Sequence, residues 1–207
     1  MPITGIDASK FQGKIDWAAM VQAGVKFAFL RAGDGIASGF FADLMFAYNR
    51  KIASFRKVPT GAYYYARFNI SAQKQAEAFC KIIGKLQPGE LPPVIDVEDE
   101  PGARTLNEVQ RLQFLHNFVS IVESTLGVPV IIYTSKWFWD TYINSKDFST
   151  RKLWLARYAS APGEIPGGWD KWTFWQSSES GSVGGVTPID TNQFNGTLCE
   201  LAFLQIK

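Results

Sequence analysis

The sequence contains few of the residues that metal sites and histidine-based triads need. Its 207 residues include one histidine, His116, and two cysteines, Cys80 and Cys199. A single histidine argues against a zinc site or a Ser-His-Asp triad, and we interpret His116 as structural. The cysteines form no CxxC pair, and their apolar surroundings favour buried free thiols over one long-range disulfide. We therefore expect neither a metal nor a cofactor.

An excess of charge of one sign and long apolar runs are also missing. The 21 basic and 19 acidic residues give a net charge of +2 without a basic cluster, so nothing indicates a nucleic-acid partner. No apolar run approaches the ~20 residues that span a bilayer, so we expect no membrane insertion. Residues 1–17 lack the basic and then apolar pattern of a signal peptide. That fits a protein that needs no export signal or one whose signal has been removed.

Aromatic residues, by contrast, are abundant. Phe, Trp and Tyr make up 14% of the chain, with seven Trp and seven Tyr. Exposed Trp and Tyr side chains often bind sugars or peptides, although core packing explains them equally well. A length of 207 residues suits one domain with a substantial core. We expect that single domain to cover residues 1–207, with no separate binding module.

Short apolar runs alternate with amphipathic ones along the chain. Strands are predicted over 3–7, 26–33, 59–68, 92–98, 129–135, 152–158 and 171–178, and helices over 17–24, 41–57, 71–86, 105–127 and 137–142. The glycine-rich stretch 32–39 matches neither GxGxxG nor a P-loop, and we interpret it as a loop. The alternation predicts an α/β domain with a parallel sheet covered by helices. Because the last third loses its helices, an irregular barrel is favoured, with a doubly wound open sheet as the alternative.

The ends of several helices carry recognisable signals. Ser71 is placed to cap the helix over 71–86, and Thr105 with Glu108 forms a capping-box pattern. Gly24 and Gly127 are placed where the first and the longest helix should stop.

Carboxylates follow the apolar start of the segment LPPVIDVEDE, residues 91–100. In a strand, Asp96 and Glu98 share one face, ~6.5–7 Å apart along the chain. Asp7 closes the first predicted strand, and Asp190 follows a short apolar lead-in near the end of the sequence. Residues at the carboxyl ends of barrel strands line the mouth of the active site, so these positions could converge on one pocket.

Paired acids are what glycosidic cleavage needs. One carboxyl must hold a proton for the leaving oxygen, while others stay ionised to stabilise positive charge or to position a nucleophile. The structural alternative is that such acids cap helices or pair with arginine. Asp99 and Glu100 are interpreted in that way, as solvated loop acids or pairing groups.

The ordered motifs resemble glycoside hydrolase family 25, the Chalaropsis-type lysozymes, over nearly the whole chain. The matching segments are GIDASKFQGKIDW, KFAFLRAGDG, GAYYYARF, LPPVIDVE, PVIIYTS, LWLARY, WTFWQSSESGSVGGV and IDTNQFNG. The Asp-x-Glu pair alone is weak, because family 18 chitinases also carry it, but the ordered set of eight is specific. The resemblance implies a single-domain, flattened, TIM-like β/α barrel. It also implies hydrolysis of the β-1,4 bond between N-acetylmuramic acid and N-acetylglucosamine in peptidoglycan.

The resemblance also implies roles for the acids. Glu98 would be the general acid, and Asp96 would orient the acetamido group or stabilise charge. Asp7 and Asp190 would flank the pocket. Burial and repulsion from Asp96 should raise the pKa of Glu98. Retention, inversion and assistance by the 2-acetamido group all stay open, with a preference for the last.

By the same resemblance, the sugar contacts come from aromatic residues and one amide, with core packing as the alternative for each aromatic. These candidates are Tyr63, Tyr65, Tyr133, Trp154 and Gln176. Two positions depart from the commoner family pattern, which often has His at the place of Tyr64 and Trp at the place of Phe11. Neither departure removes a carboxylate, but both bear on substrate preference.

We expect a monomer that acts on glycan strands of the bacterial wall, either secreted or made in the cytoplasm and released at phage lysis. Two other functions fit parts of the pattern. A chitinase or glucosaminidase would use the same acids on a different bond, and a wall-binding module would keep the scaffold without catalysis. The presence of all four acids argues against the second.

Overall fold

The computed structural model describes residues 2–36 and 39–207. The strands are β1 (Ile3–Ala8), β2 (Phe27–Ile36), β3 (Gly39–Ala42), β4 (Thr60–Tyr65), β5 (Val94–Asp96), β6 (Ile131–Ser135), β7 (Lys152–Ala156), β8 (Phe174–Val183) and β9 (Val186–Phe194). The helices are α1 (Trp17–Gln22), α2 (Phe46–Phe55), α3 (Ala72–Ile83), α4 (Pro101–Thr105), α5 (Glu108–Leu126), α6 (Lys136–Phe138) and α7 (Leu198–Phe203). A 3₁₀ turn (Lys10–Gln12) follows β1, and a π-helical turn (Trp139–Ile143) follows α6.

Eight strands close into a barrel in the order β1-β9-β8-β7-β6-β5-β4-β2, because β1 also pairs with β2. The six pairs from β1–β2 round to β7–β8 are parallel, whereas β9 is antiparallel to both β8 and β1. The remaining strand, β3, is an antiparallel arm on β2. The predicted α/β barrel with missing late helices is confirmed, and the open doubly wound sheet is wrong.

Large aromatic side chains fill the inside of the barrel. Phe27, Phe29, Trp154 and Phe174 are buried there, and the ring of Phe29 stacks on Trp154 with centroids 4.2 Å apart. A Cβ at Gly5 of β1 would lie only 2.4 Å from the Phe27 ring. Position 5 therefore accommodates only glycine, because the neighbouring ring occupies the space of a Cβ.

The helices cover the barrel from outside, where α3 packs against α5. Ser71 caps α3 through the Lys74 amide, as predicted, and Gly127 ends α5 in the left-handed conformation with φ 71°. The capping box predicted at Thr105 and Glu108 is wrong, because Thr105 closes α4. Asn107 and Gln110 form the box that starts α5 instead. The predicted stop of α1 is confirmed, because the helix ends at Gln22 and Gly24 follows the C-cap Ala23 with a φ of 90°.

Several element boundaries also differ from prediction. The helix predicted over 41–57 is limited to 46–55, since residues 41–42 belong to β3. Of the predicted loop 32–39, residues 32–36 continue β2 and Gly39 begins β3, while residues 37–38 lie outside the described residues. The strand β9 went unpredicted because its sequence, VTPIDTNQF, lacks a continuous apolar run. Helices α4 and α7 were also missed, being too short to show helical periodicity.

Both cysteines are free, as predicted, but only Cys80 is buried. The prediction for Cys199 is wrong because it lies on the outward side of the short helix α7. His116 contacts Asp147 on the surface, with 2.9 Å between Nε2 and Oδ2, so its role is a surface contact rather than core packing. Within the described ranges, the helices are all too short or too polar to cross a membrane.

Candidate active site

An open cleft lies at the carboxyl ends of the barrel strands. All nine residues proposed from the sequence line it: Asp7, Asp96, Glu98, Asp190, Tyr63, Tyr65, Tyr133, Trp154 and Gln176. The remaining lining residues are Ala8, Ser9, Phe11, Gln12, Arg31 and Tyr158. Closure of the barrel explains the convergence, because parallel strands deliver their last residues to the same end.

Asp96 and Glu98 reach the cleft from one segment. β5 ends at Asp96, earlier than the predicted strand over 92–98. The ladder nevertheless continues past it, since the Val97 amide donates to the Tyr133 carbonyl at 2.9 Å and the Ala66 amide donates to the Asp96 carbonyl at 3.0 Å. These backbone bonds fix the extended conformation that turns both carboxyls to the same side.

Burial raises the pKa of both carboxyls. It raises the pKa of Glu98 to about 7, while the Arg67 charge and a hydrogen bond with Asp96 act in the opposite direction. For Asp96, burial is again the largest cause, followed by repulsion from Glu98 and Asp7, and its pKa lies well above the usual range. The pair therefore keeps a proton near neutral pH. The raised pKa of Glu98 and the role of burial agree with the sequence prediction, but the predicted repulsion from Asp96 is wrong, because Asp96 forms a hydrogen bond that lowers the pKa of Glu98.

One atom of this pair is left without a partner. Asp96 Oδ1 is buried and accepts no hydrogen bond from any described residue. A buried carboxylate oxygen without a donor is costly, so such an atom in a cleft is suited to a donor on the substrate.

Asp7 and Asp190 face each other across the β1–β9 pair. Asp190 is therefore in the middle of an antiparallel strand, not at the end of a strand as predicted, because β9 runs in the opposite direction to β1. Asp7 Oδ2 accepts from Gln176 Nε2 and from Asn192 Nδ2, each at 2.8 Å. Burial and then repulsion from Asp190 hold the pKa of Asp7 well above its usual range.

Two side-chain relays orient the amides that hold Asp7. Tyr133 Oη donates to Gln176 Oε1 at 2.6 Å, and Trp154 Nε1 donates to Asn192 Oδ1 at 2.7 Å. The polar atoms of Tyr133 and Trp154 are thus already paired, and Trp154 is only 2% exposed. These side chains support the acids as well as lining the cleft.

Three tyrosines at the rim are more accessible than Tyr133 and Trp154. Tyr63 and Tyr65 of β4 are half-buried, and Tyr158 is 52% exposed. Their rings offer an apolar face and a polar tip to a sugar. Tyr158 is not among the sugar-contact candidates proposed from the sequence.

Sequence reasoning missed two further residues. Asn192 is fully buried beneath the acids, and its signal was its place two residues after Asp190 on one strand face. Arg31 lines the cleft from the middle of β2, and its signal was a charged residue directly after the apolar run 27–30.

The two acids beyond Glu98 have structural partners. Asp99 forms an ion pair with Arg104, as expected of a pairing group. Glu100 is buried rather than solvated, because its carboxylate accepts from the amides of Phe68 and Gly102 at 2.9 Å and caps α4.

Among residues 2–36 and 39–207, no group of three or more His, Cys, Asp or Glu side chains is arranged to hold a metal ion.

Comparison with known proteins identifies the family of this chain. A model of glycosyl hydrolases family 25 matches residues 6–186. Lysozyme M1 of Streptomyces globisporus is 32% identical over 211 aligned residues, which cover 98% of this chain and 71% of that protein. The lysozyme from Streptomyces coelicolor, whose crystal structure is known, is 32% identical in sequence. The two structures superpose with a TM-score of 0.92 over 99% of this chain and 97% of the lysozyme chain. A muramidase from Trichobolus zukalii is 30% identical, with 98% of each chain covered and a TM-score of 0.89. The chain therefore belongs to glycosyl hydrolases family 25.

Proposed function

We propose that this protein is a muramidase that hydrolyses the β-1,4 bond between N-acetylmuramic acid and N-acetylglucosamine in peptidoglycan. The observation that carries the proposal is the buried pair of Asp96 and Glu98 at the floor of a cleft with tyrosines at its rim. The relatives named lysozyme and muramidase indicate the substrate. The place of action is the bacterial cell wall.

Glu98 is the general acid of the proposed reaction. With a pKa of about 7, it holds a proton at mildly acidic and neutral pH and can transfer it to the leaving glycosidic oxygen. Its position directly after a hydrogen-bonded strand fixes the carboxyl in place, as proton transfer requires.

Asp96 is proposed to orient the 2-acetamido group of the sugar. When the shared proton is on Glu98, Asp96 is ionised and its unpartnered Oδ1 can accept the acetamido N–H. The acetamido oxygen then attacks the anomeric carbon as the glycosidic bond breaks and Glu98 protonates the leaving oxygen. Water later opens the cyclic intermediate and gives a proton back to Glu98, which regenerates the acid. Asp7 and Asp190 lie beside the developing positive charge, but burial raises the pKa of both carboxyls, so the pair contributes less than two negative charges there.

The decisive experiment identifies the new chain ends released from purified peptidoglycan by mass spectrometry. The wild type should release reducing muramic acid ends, and Glu98→Gln should release at least about 100-fold fewer, as expected when a general acid is lost. Asp99→Asn is the matched control: it removes a neighbouring acid that pairs with Arg104 outside the cleft, and it should keep wild-type activity.

The alternative functions give different products. Reducing glucosamine ends would replace the proposal with a glucosaminidase, and cleavage of chitin alone would replace it with a chitinase. A protein that sediments with the wall and releases no ends would be a binding module.

A further inference from the structure

Arg31 is held rigidly at one wall of the cleft. Its Nε donates to Asp43 Oδ2 at 2.9 Å, and the side chains of the pair are 11% and 0% exposed. The same carboxylate accepts from the backbone amides of Lys10 and Met45, both at 2.9 Å. Asp43 therefore fixes one edge of the guanidinium and has little capacity left for its other nitrogens.

The rest of the guanidinium lies between aromatic rings. Its Cζ is 5.2 Å from the centroid of Phe11 and 5.8 Å from that of Phe41. Phe11 is 77% exposed and also lines the cleft, so rotation of this side chain would uncover the cation on the cleft side. Such stacking keeps water away from the charge and strengthens any bond it makes.

Among the described residues, only Nε of the Arg31 guanidinium has a hydrogen-bond partner. Nη2 is buried and has no hydrogen-bond partner in the described part of the chain. Arg31 is also the one cationic side chain among the described residues that line the cleft, whereas four lining side chains are carboxyls. An unpaired guanidinium nitrogen in a substrate cleft is a site for an acceptor that carries negative charge.

We propose that Arg31 recognises the lactyl group of N-acetylmuramic acid and thereby makes the cleft selective for muramyl over glucosaminyl sugars. The inference rests on the proposed muramidase function. N-acetylmuramic acid differs from N-acetylglucosamine only by the 3-O-lactyl substituent, whose carboxyl oxygen is an acceptor for Nη2. In peptide-free glycan this oxygen belongs to a carboxylate, whose charge a cation compensates on a cleft otherwise lined by acids. Where a stem peptide is attached, it belongs to an amide carbonyl, which still accepts a hydrogen bond.

Binding to a non-hydrolysing protein tests the assignment directly. In the Glu98→Gln background, dissociation constants are measured by calorimetry for two ligands. One is the tetrasaccharide of alternating N-acetylglucosamine and N-acetylmuramic acid, and the other is chitotetraose, which lacks the lactyl groups. Arg31→Lys keeps a cation for Asp43 but removes Nη2, and Arg31→Gln removes the charge as well.

We expect both Arg31 substitutions to weaken binding of the muramyl tetrasaccharide roughly 10- to 100-fold, as for loss of one charge-assisted hydrogen bond. Binding of chitotetraose should change by less than about twofold. Lys10→Gln is the matched control, because Lys10 Nζ stacks on the same two rings, at 5.4 and 4.9 Å, but does not line the cleft. It should leave both constants unchanged.

Equal weakening of both ligands, or no weakening of either, would overturn the role of Arg31. Thermal unfolding of each variant shows whether a loss comes from the fold, and Arg31→Lys decides the question if Arg31→Gln does not fold. The muramidase function itself is tested separately with the wild type, which would release no reducing muramic acid ends if that function were wrong. That result would overturn the inference together with the function on which it rests.

Discussion

Replacing Glu98 by glutamine should make the protein more stable at alkaline pH while it removes activity. Burial raises the pKa of Glu98 from 4.5 to about 7 in the folded chain. A carboxyl whose pKa is raised on folding favours the folded state below its unfolded value, here 4.5. This contribution is lost progressively as the pH rises through about 7, because the folded protein must then ionise a group that it has buried.

The magnitude follows from the shift. A difference of about 2.5 pKa units at 1.36 kcal/mol per unit gives a cost of about 3 kcal/mol above pH 8. Glutamine has nearly the same shape and no charge, so Glu98→Gln should raise the free energy of unfolding by up to that amount at pH 8. At pH 4, where Glu98 is protonated in the folded protein, the two proteins should differ little.

Urea denaturation of both proteins between pH 4 and pH 8 measures the effect, with equal slopes required for the comparison. Asp99→Asn serves as the control. The hydrogen bond with Arg104 lowers the pKa of Asp99, so its ionised form favours folding and the substitution cannot stabilise the protein at pH 8. A stability difference between wild type and Glu98→Gln that does not grow between pH 4 and pH 8 would refute the argument.

Three further predictions concern the acid and its surroundings. kcat/KM on peptidoglycan should fall about tenfold per pH unit above pH 7, where Glu98 loses its proton, and a flat profile there would contradict its role as acid. Gln176→Ala should lower kcat and should lower the free energy of unfolding in urea by about 1–3 kcal/mol, because it leaves the buried Tyr133 hydroxyl and Asp7 carboxylate without a partner. Gln73→Ala, at an exposed glutamine, is the control, and equal effects of the two substitutions would contradict the prediction. Gly5→Ala should destabilise by about 1–3 kcal/mol, because its Cβ meets the Phe27 ring at 2.4 Å, and an unchanged urea midpoint would disprove the clash.

Local patterns in the sequence were sufficient to predict most of the elements. Neighbouring residues alone are enough to identify two groups of elements. Apolar runs indicate the strands β1, β2, β4, β6 and β7, and amphipathic periodicity indicates the helices α3 and α5. Asp96 and Glu98 were found in the same way, because alternation along a strand places residues two apart on one face. The strand β9 is polar and has no such local signal, so the sequence did not predict it.

The sequence by itself determined the barrel-forming alternation, the resemblance to family 25 and the identity of the four acids. Only the tertiary structure decided how those acids are supported. Asn192 and Asp7 are 185 residues apart in the chain and share a hydrogen bond because β9 closes the barrel against β1. Likewise, the burial that raises the pKa of Glu98 and leaves Arg31 Nη2 without a partner depends on side chains from many strands. Burial and electrostatic environment are properties of the packed chain, so no local pattern encodes them.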